Sequence, residues 1–164
     1  MSEALFAFLV RHDVDFERCD HPAVFTTAQA ERLVPPLRGA KAKSLFLRGR
    51  PGGAWWLVVV PYAKRVDLKG LAAALDAGRL AFATADELQA RLGVTPGAVS
   101  LLALVHDVER AVEVVIDEAL WDADGLQCHP LVNTATLSIP AASLRRFLAA
   151  TAQRLRVLHV PAVP

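Results

Sequence analysis

The sequence predicts an α+β fold: one domain whose mixed, curved sheet is flanked by helices. Three observations point there. Apolar residues fill 54% of 164 positions and the net charge is +1, a composition that can build a core rather than stay disordered. Helical and strand periodicities interleave, but without the regular rhythm of a doubly wound parallel sheet. No repeat, low-complexity tract or linker divides the chain, so a single domain over residues 1–164 is expected.

The elements follow in order. Glu3–His12 carries apolar residues at helical spacing (Ala4, Leu5, Phe8, Leu9). Asp15–Asp20 suits a short strand, which the His21-Pro22 pair ends because a residue before proline avoids the helical region. Thr27 is placed to cap a helix over Ala28–Leu33, stopped by Pro35-Pro36. Ala42–Leu47 and Ala54–Pro61 read as a strand pair joined by the turn Arg48–Gly53. Asp67 caps a helix through Leu75 that Gly78 closes, and Thr84 caps another to Leu92, with Gly93 in the left-handed C-terminal position. Asp86 and Glu87 in that helix's first turn suit its dipole. Gly93–Leu104 is expected to be a loop feeding a buried strand. Ala111–Ile116, Leu126–Cys128 and Thr134–Ile139 read as strands, with one helical turn at Asp117–Trp121. Pro140 opens a final helix to Ala150, and Arg156–Val160 adds an edge strand.

Composition excludes several classes. No apolar run reaches the roughly 18 residues of a membrane span; the longest, Trp55–Tyr62, is strand length. Glu3 precedes the first apolar stretch and no basic segment does, so no secretion signal is read. Cys19 and Cys128 make no disulfide framework, and a cytoplasmic, reduced protein is expected. Charge is unevenly spread: residues 36–80 hold nine Lys/Arg against two acids, residues 81–125 nine acids against two Lys/Arg, and residues 126–164 four Arg and no acid. Either the basic stretches face a polyanion while the acidic one turns away, or the charges simply occupy solvated faces.

Familiar catalytic signatures are missing. There is no phosphate-binding G-x-x-x-x-G-K-[ST], no G-x-S-x-G elbow, no C-x-x-C and no H-E-x-x-H. The histidines are scattered, so neither a metal nor a cofactor is expected.

Three places carry chemistry instead. Lys43 sits in an apolar strand and shares a face with Leu45 and Leu47. A lysine there either holds a phosphate or carbonyl oxygen, or blunts a sheet edge. Gly93–Ser100 (G-V-T-P-G-A-V-S) contains Pro96-Gly97, which suits a type II turn with positive φ at Gly97. That turn either presents backbone groups to a ligand or merely precedes a strand. His129 and Asn133 bracket Pro130; near Lys43 they would form a polar cluster able to orient an ester, and otherwise they are a satisfied turn.

In order along the chain, His21–Thr26 (H-P-A-V-F-T), Lys43–Leu47 (K-S-L-F-L), Gly93–Ser100 and His129–Leu137 (H-P-L-V-N-T-A-T-L) resemble the motifs of the YbaK/ProX family, the prolyl-tRNA-synthetase-associated editing domains. The resemblance spans roughly Leu5 to Val160 and implies a compact domain with a barrel-like sheet and a trans-acting hydrolase that cleaves the ester of mischarged aminoacyl-tRNA. By position, Lys43, Gly97 and His129 match the family's functional lysine, loop glycine and histidine. Ser44, Phe46, Ser100, Cys128 and Asn133, in the same motifs, are the expected substrate contacts. The resemblance further implies a metal-free mechanism assisted by the terminal ribose hydroxyl, tRNA as partner with prolyl-tRNA synthetase as a transient one, and a monomer. Ser44 replaces the usual asparagine, Leu101 a common proline, and Cys128 a larger apolar residue. The motif wording is nearer the ProX-like branch, which implies Ala-tRNA(Pro) as substrate. Cys-tRNA(Pro), another small aminoacyl ester, or tRNA binding without catalysis are the rivals. Arg48, Arg50, Lys64 and Arg65 are expected to meet the acceptor stem.

Overall fold

The computed structural model describes residues 3–51 and 53–164, apart from the side chains of Thr27 and Ala30. Six helices alternate with eight strands among these residues: α1 Glu3–Arg11, β1 Glu17–Asp20, α2 Thr27–Leu33, β2 Ala40–Arg50, β3 Trp55–Pro61, α3 Leu68–Leu75, β4 Arg79–Phe82, α4 Ala85–Leu92, β5 Val112–Asp117, α5 Glu118–Trp121, β6 Gly125–Cys128, β7 Ala135–Pro140, α6 Ala141–Thr151 and β8 Leu155–Leu158. Two 3-10 segments, Pro96–Ala98 and Leu101–His106, precede β5.

The strands form one mixed sheet in the order β1-β7-β6-β2-β3-β5-β8, with β4 also on β2. β2–β6, β3–β5 and β5–β8 are parallel; the other pairs are antiparallel. The sheet is open, with β1 and β8 at its two ends. β3 (W-W-L-V-V-V-P) is buried on both faces, which is why it reads as an unbroken apolar run. Trp55, Leu57 and Val59 join one core cluster with residues of α1, α4, the second 3-10 segment and α6. Trp56, Val58 and Val60 join the other, with Leu71 and Leu75 of α3.

The long strand β2 sets the position of the functional site. One edge pairs with β3 from Ala42 to Arg48. Its other edge pairs with β6 only at Ala40–Lys41 and with β4 only at Leu47–Arg50. Residues 42–45 therefore have no strand partner on that side, and the sheet forks there. The entry to β2 is pinned: Gln127 Nε2 donates to the carbonyls of Leu37 (2.9 Å) and Gly39 (3.0 Å), and Ser138 Oγ donates to Arg38 O (2.6 Å). Gly39 is required at this crossing. Its φ is +92°, and a Cβ there would stand 3.0 Å from the Gly125 carbonyl carbon.

Several expectations change. The cap of α2 assigned to Thr27 falls on a side chain outside the described ones; the bond present is Gln29 N–H to Thr26 Oγ1 (3.1 Å). Gly52, within the expected turn, is also outside the described residues. Asp76, in the left-handed region at φ 52°, ends α3, and Gly78 forms a bridge with Arg50 just before β4. The strand β4 is additional to the sequence reading. The apolar run Leu101–Leu104, expected to be the end of a loop, winds as buried 3-10 helix that continues to His106. Gly97 is not in the left-handed region. Pro96–Ala98 forms a 3-10 turn closed by Ala98 N–H to Thr95 O (2.9 Å), with Pro96 at its first position; the fixed φ of proline suits this turn and a type II turn alike.

Candidate active site

A cavity of about 230 Å³ opens at the fork of the sheet. β2 contributes Ala42, Lys43 and Ser44; the first 3-10 segment and the residues after it contribute Pro96, Gly97, Val99, Ser100 and Leu101; β6 and the following loop contribute Leu126, Cys128 and His129. Six of the eight residues expected from sequence thus line one space. A smaller annex of about 50 Å³ shares Val24, Ala42, Tyr62, Cys128 and His129 with it and adds Val34 and Thr136.

Lys43 is half-buried, and its ammonium makes no hydrogen bond or ion pair among the described residues. Burial holds its pKa below the usual 10.5. Its cross-strand partner is Val60, and those of Leu45 and Leu47 are Val58 and Trp56, so the three do share one face. At the fork Lys43 nonetheless borders the cavity.

His129 Nδ1 lies 3.1 Å from Ala135 O. A carbonyl only accepts, so Nδ1 carries the hydrogen and Nε2 of the neutral ring holds a free lone pair. Burial lowers the pKa below 6.5, the bond to Ala135 O raises it in part, and the charge of nearby His21 lowers it further. The ring is therefore neutral at pH 7. Its loop is held by His21, whose N–H donates to Thr134 O (2.9 Å) and whose Nε2 meets Thr136 Oγ1 at 2.8 Å. Leu131 in the same loop sits at φ 69°, a strained conformation for a side-chain-bearing residue.

Cys128 is no nucleophile at neutral pH, because burial pushes its thiol up to about 12. Ser100 Oγ accepts from Leu102 N–H (3.2 Å) and retains its own hydrogen to donate. A Cβ on Gly97 would meet only Asn133 Nδ2, at 3.8 Å, so glycine there leaves room beside the cavity.

Two expected contacts lie elsewhere. Phe46 is in the core, stacked on Trp55 at 5.2 Å, because strand alternation turns it under α4 and the 3-10 segment. Asn133 does not line the cavity itself, although its Nδ2 would stand 3.8 Å from a Cβ on Gly97, which does. Lys64 is unavailable to an RNA stem: its Nζ is 2.5 Å from the fully buried Asp117 carboxylate and 2.8 Å from Val160 O. Val24, Phe25 and Tyr62 line the cavity without having been singled out. The H-P-A-V-F-T motif pointed to the first two; a lone tyrosine after an apolar strand gave no signal. Among the described residues, no group of three or more His, Cys, Asp or Glu is placed to hold a metal ion, and no helix is long and apolar enough to cross a membrane.

A family model described as an aminoacyl-tRNA editing domain matches residues 21–147, which include every residue lining the cavity. The chain is 29% identical to the prolyl-tRNA editing protein ProX of Acetoanaerobium sticklandii, over 96% of both proteins. It is 35% identical to the prolyl-tRNA synthetase associated domain-containing protein 1 of Danio rerio, over 92% of this chain and 83% of that protein. The fold matches a crystal structure titled as that of a candidate trans-editing enzyme for prolyl tRNA synthetase, with a TM-score of 0.69 at 23% identity, over 98% and 99% of the two chains.

Proposed function

The chain belongs to the aminoacyl-tRNA editing domain family, and on that premise we propose that it hydrolyses, in trans, the ester of mischarged tRNA(Pro), with Ala-tRNA(Pro) as preferred substrate. One observation carries the proposal: an unpaired lysine, a neutral histidine with a free acceptor nitrogen, and an unobstructed glycine border one cavity of about 230 Å³.

Water attacks the acyl carbonyl, the bond to the ribose oxygen breaks, and that oxygen takes a proton; the products are a free amino acid and tRNA. An aminoacyl ester is already activated, so positioning supplies much of the rate. Lys43 stabilises negative charge on a phosphate or on the carbonyl oxygen as it develops. His129 Nε2 accepts a hydrogen bond from the attacking water or from the neighbouring ribose hydroxyl, which relays the proton. Ser44 and Ser100 have hydroxyl hydrogens to offer the substrate. The annex of about 50 Å³ takes the amino-acid side chain. A methyl enters it, whereas a pyrrolidine ring adds two carbons and closes back on the nitrogen. The Cys128 wall, smaller than the residue common in relatives by resemblance, also leaves space for cysteine, the second-best substrate. The proposed setting is the cytoplasm, where tRNA is charged, with the protein working as a monomer that meets prolyl-tRNA synthetase only transiently.

The test follows release of alanine from Ala-tRNA(Pro) by the wild type and Lys43→Ala, each with and without EDTA. Release by the wild type, insensitive to EDTA and lost in the variant, is expected. No release by the wild type refutes the enzymatic reading, and inhibition by EDTA refutes the metal-free one.

A further inference from the structure

Seven phenylalanines occur in the chain. Five meet another ring: Phe6 with Phe16, Phe8 with Phe147, and Phe46 with Trp55. Phe25 has no ring partner among the described residues, is 73% exposed, and stands at the cavity. Phe82 is also exposed, at 60%, but is not part of the cavity wall.

The backbone around Phe25 is fixed even though its ring is in water. Phe25 N–H donates to Gln29 Oε1 (2.9 Å) while Gln29 N–H donates to Thr26 Oγ1 (3.1 Å), a reciprocal clasp at the start of α2. On the other side Val24 is buried in the cavity wall, and His21 is bonded into the β6–β7 loop. The segment is thus anchored on both sides of a ring that stands 73% exposed. A single exposed apolar side chain is ordinary; what sets Phe25 apart is its place on the cavity wall.

We propose that Phe25 is the stacking platform for the unpaired terminal base of the acylated RNA strand. This rests on the deacylase reading above and assigns the part of the substrate outside the acyl cavity. The ester and the terminal base hang from the same ribose, so with the acyl group inside, the base must lie at the mouth. A flat apolar ring there meets a base face to face. Stacking is tolerant of base identity, so Phe25 holds the ester in place without choosing among tRNAs.

The experiment has two arms. A short single-stranded RNA ending in 2-aminopurine, uncharged, is titrated with the wild type, Phe25→Ala, Phe25→Leu and Phe25→Trp, reading the fluorescence quench that stacking produces. Steady-state deacylation of Ala-tRNA(Pro) is measured on the same proteins. Quenching by the wild type, loss of it in Phe25→Ala and Phe25→Leu, and its return in Phe25→Trp are expected. KM should rise roughly 5- to 100-fold in Phe25→Ala, with kcat and thermal midpoint nearly unchanged. Equal quenching by the wild type and Phe25→Ala overturns the proposal. So does full rescue by leucine, or a fall in kcat and thermal midpoint with KM unchanged. If the wild type deacylates nothing yet the quench pattern holds, the deacylase reading fails and base stacking stands.

Discussion

At the scale of single residues, the account rests on two groups whose ordinary protonation is shifted by burial. His129 is pushed below its usual value, so it stays neutral as pH falls through 6.5. Lys43 is pushed below 10.5, so it loses its charge earlier than a free lysine as pH rises. The profile of kcat/KM against pH, corrected for spontaneous hydrolysis, should therefore show an acid limb below 6.5 and an alkaline limb beginning below 10.5. His129→Gln should lower the plateau and erase the acid limb; an unchanged limb in that variant assigns it to another group. Lys43→Ala should cut kcat/KM by about 100-fold or more. Its thermal midpoint should hold, because the ammonium has no partner to lose among the described residues. Gly97→Ala should fold normally, since its added methyl meets nothing closer than 3.8 Å, yet slow turnover by narrowing the site. Wild-type turnover in that variant removes Gly97 from the site. The motifs singled out Lys43, Gly97 and His129, and the fold brings all three to one cavity. Phe46 lies in the same motif as Lys43 but points into the core, which a motif does not encode.

At the scale of elements, legibility followed local chemistry. Helix α4 was readable from Thr84 to Gly93 because its capping box is written as T-x-x-E and its end as a left-handed glycine. Removing the box with Thr84→Ala should cost about 1 kcal/mol, a fall of roughly 2–4 °C in thermal midpoint, with kcat/KM preserved. A loss of activity at unchanged stability would mean that α4 does more than support the sheet. Strand β4 was not readable: only Leu80 of its four residues is buried, so no alternation shows. The Lys64–Asp117 pair was likewise invisible, since it joins positions 53 apart. Lys64→Met strands a fully buried carboxylate and should cost roughly 3 kcal/mol or more in urea unfolding, while RNA affinity at low denaturant stays the same. Weakened RNA binding in the folded variant would restore Lys64 to an RNA-facing role.

At the scale of the whole molecule, the basic and acidic stretches of the sequence fold onto one another. Arg48 pairs with Glu87, Lys64 with Asp117, and Arg154 with Glu113. The uneven charge along the sequence is thus partly neutralised by pairing across the fold. The fold class and order of elements were legible from periodicity, but the cavity was not. Its walls come from residues between Val24 and His129, brought together where β2 loses its partner on one edge. The central claim is that this space accepts the ester of a small, wrong amino acid and rejects the right one. The most direct measurement is the set of deacylation rates for Ala-, Cys-, Ser- and Pro-tRNA(Pro) under identical conditions. The account predicts that Ala-tRNA(Pro) is cleaved fastest, at least about 100-fold faster than Pro-tRNA(Pro), as two extra carbons against a fitted wall require. Equal rates for alanine and proline would contradict it.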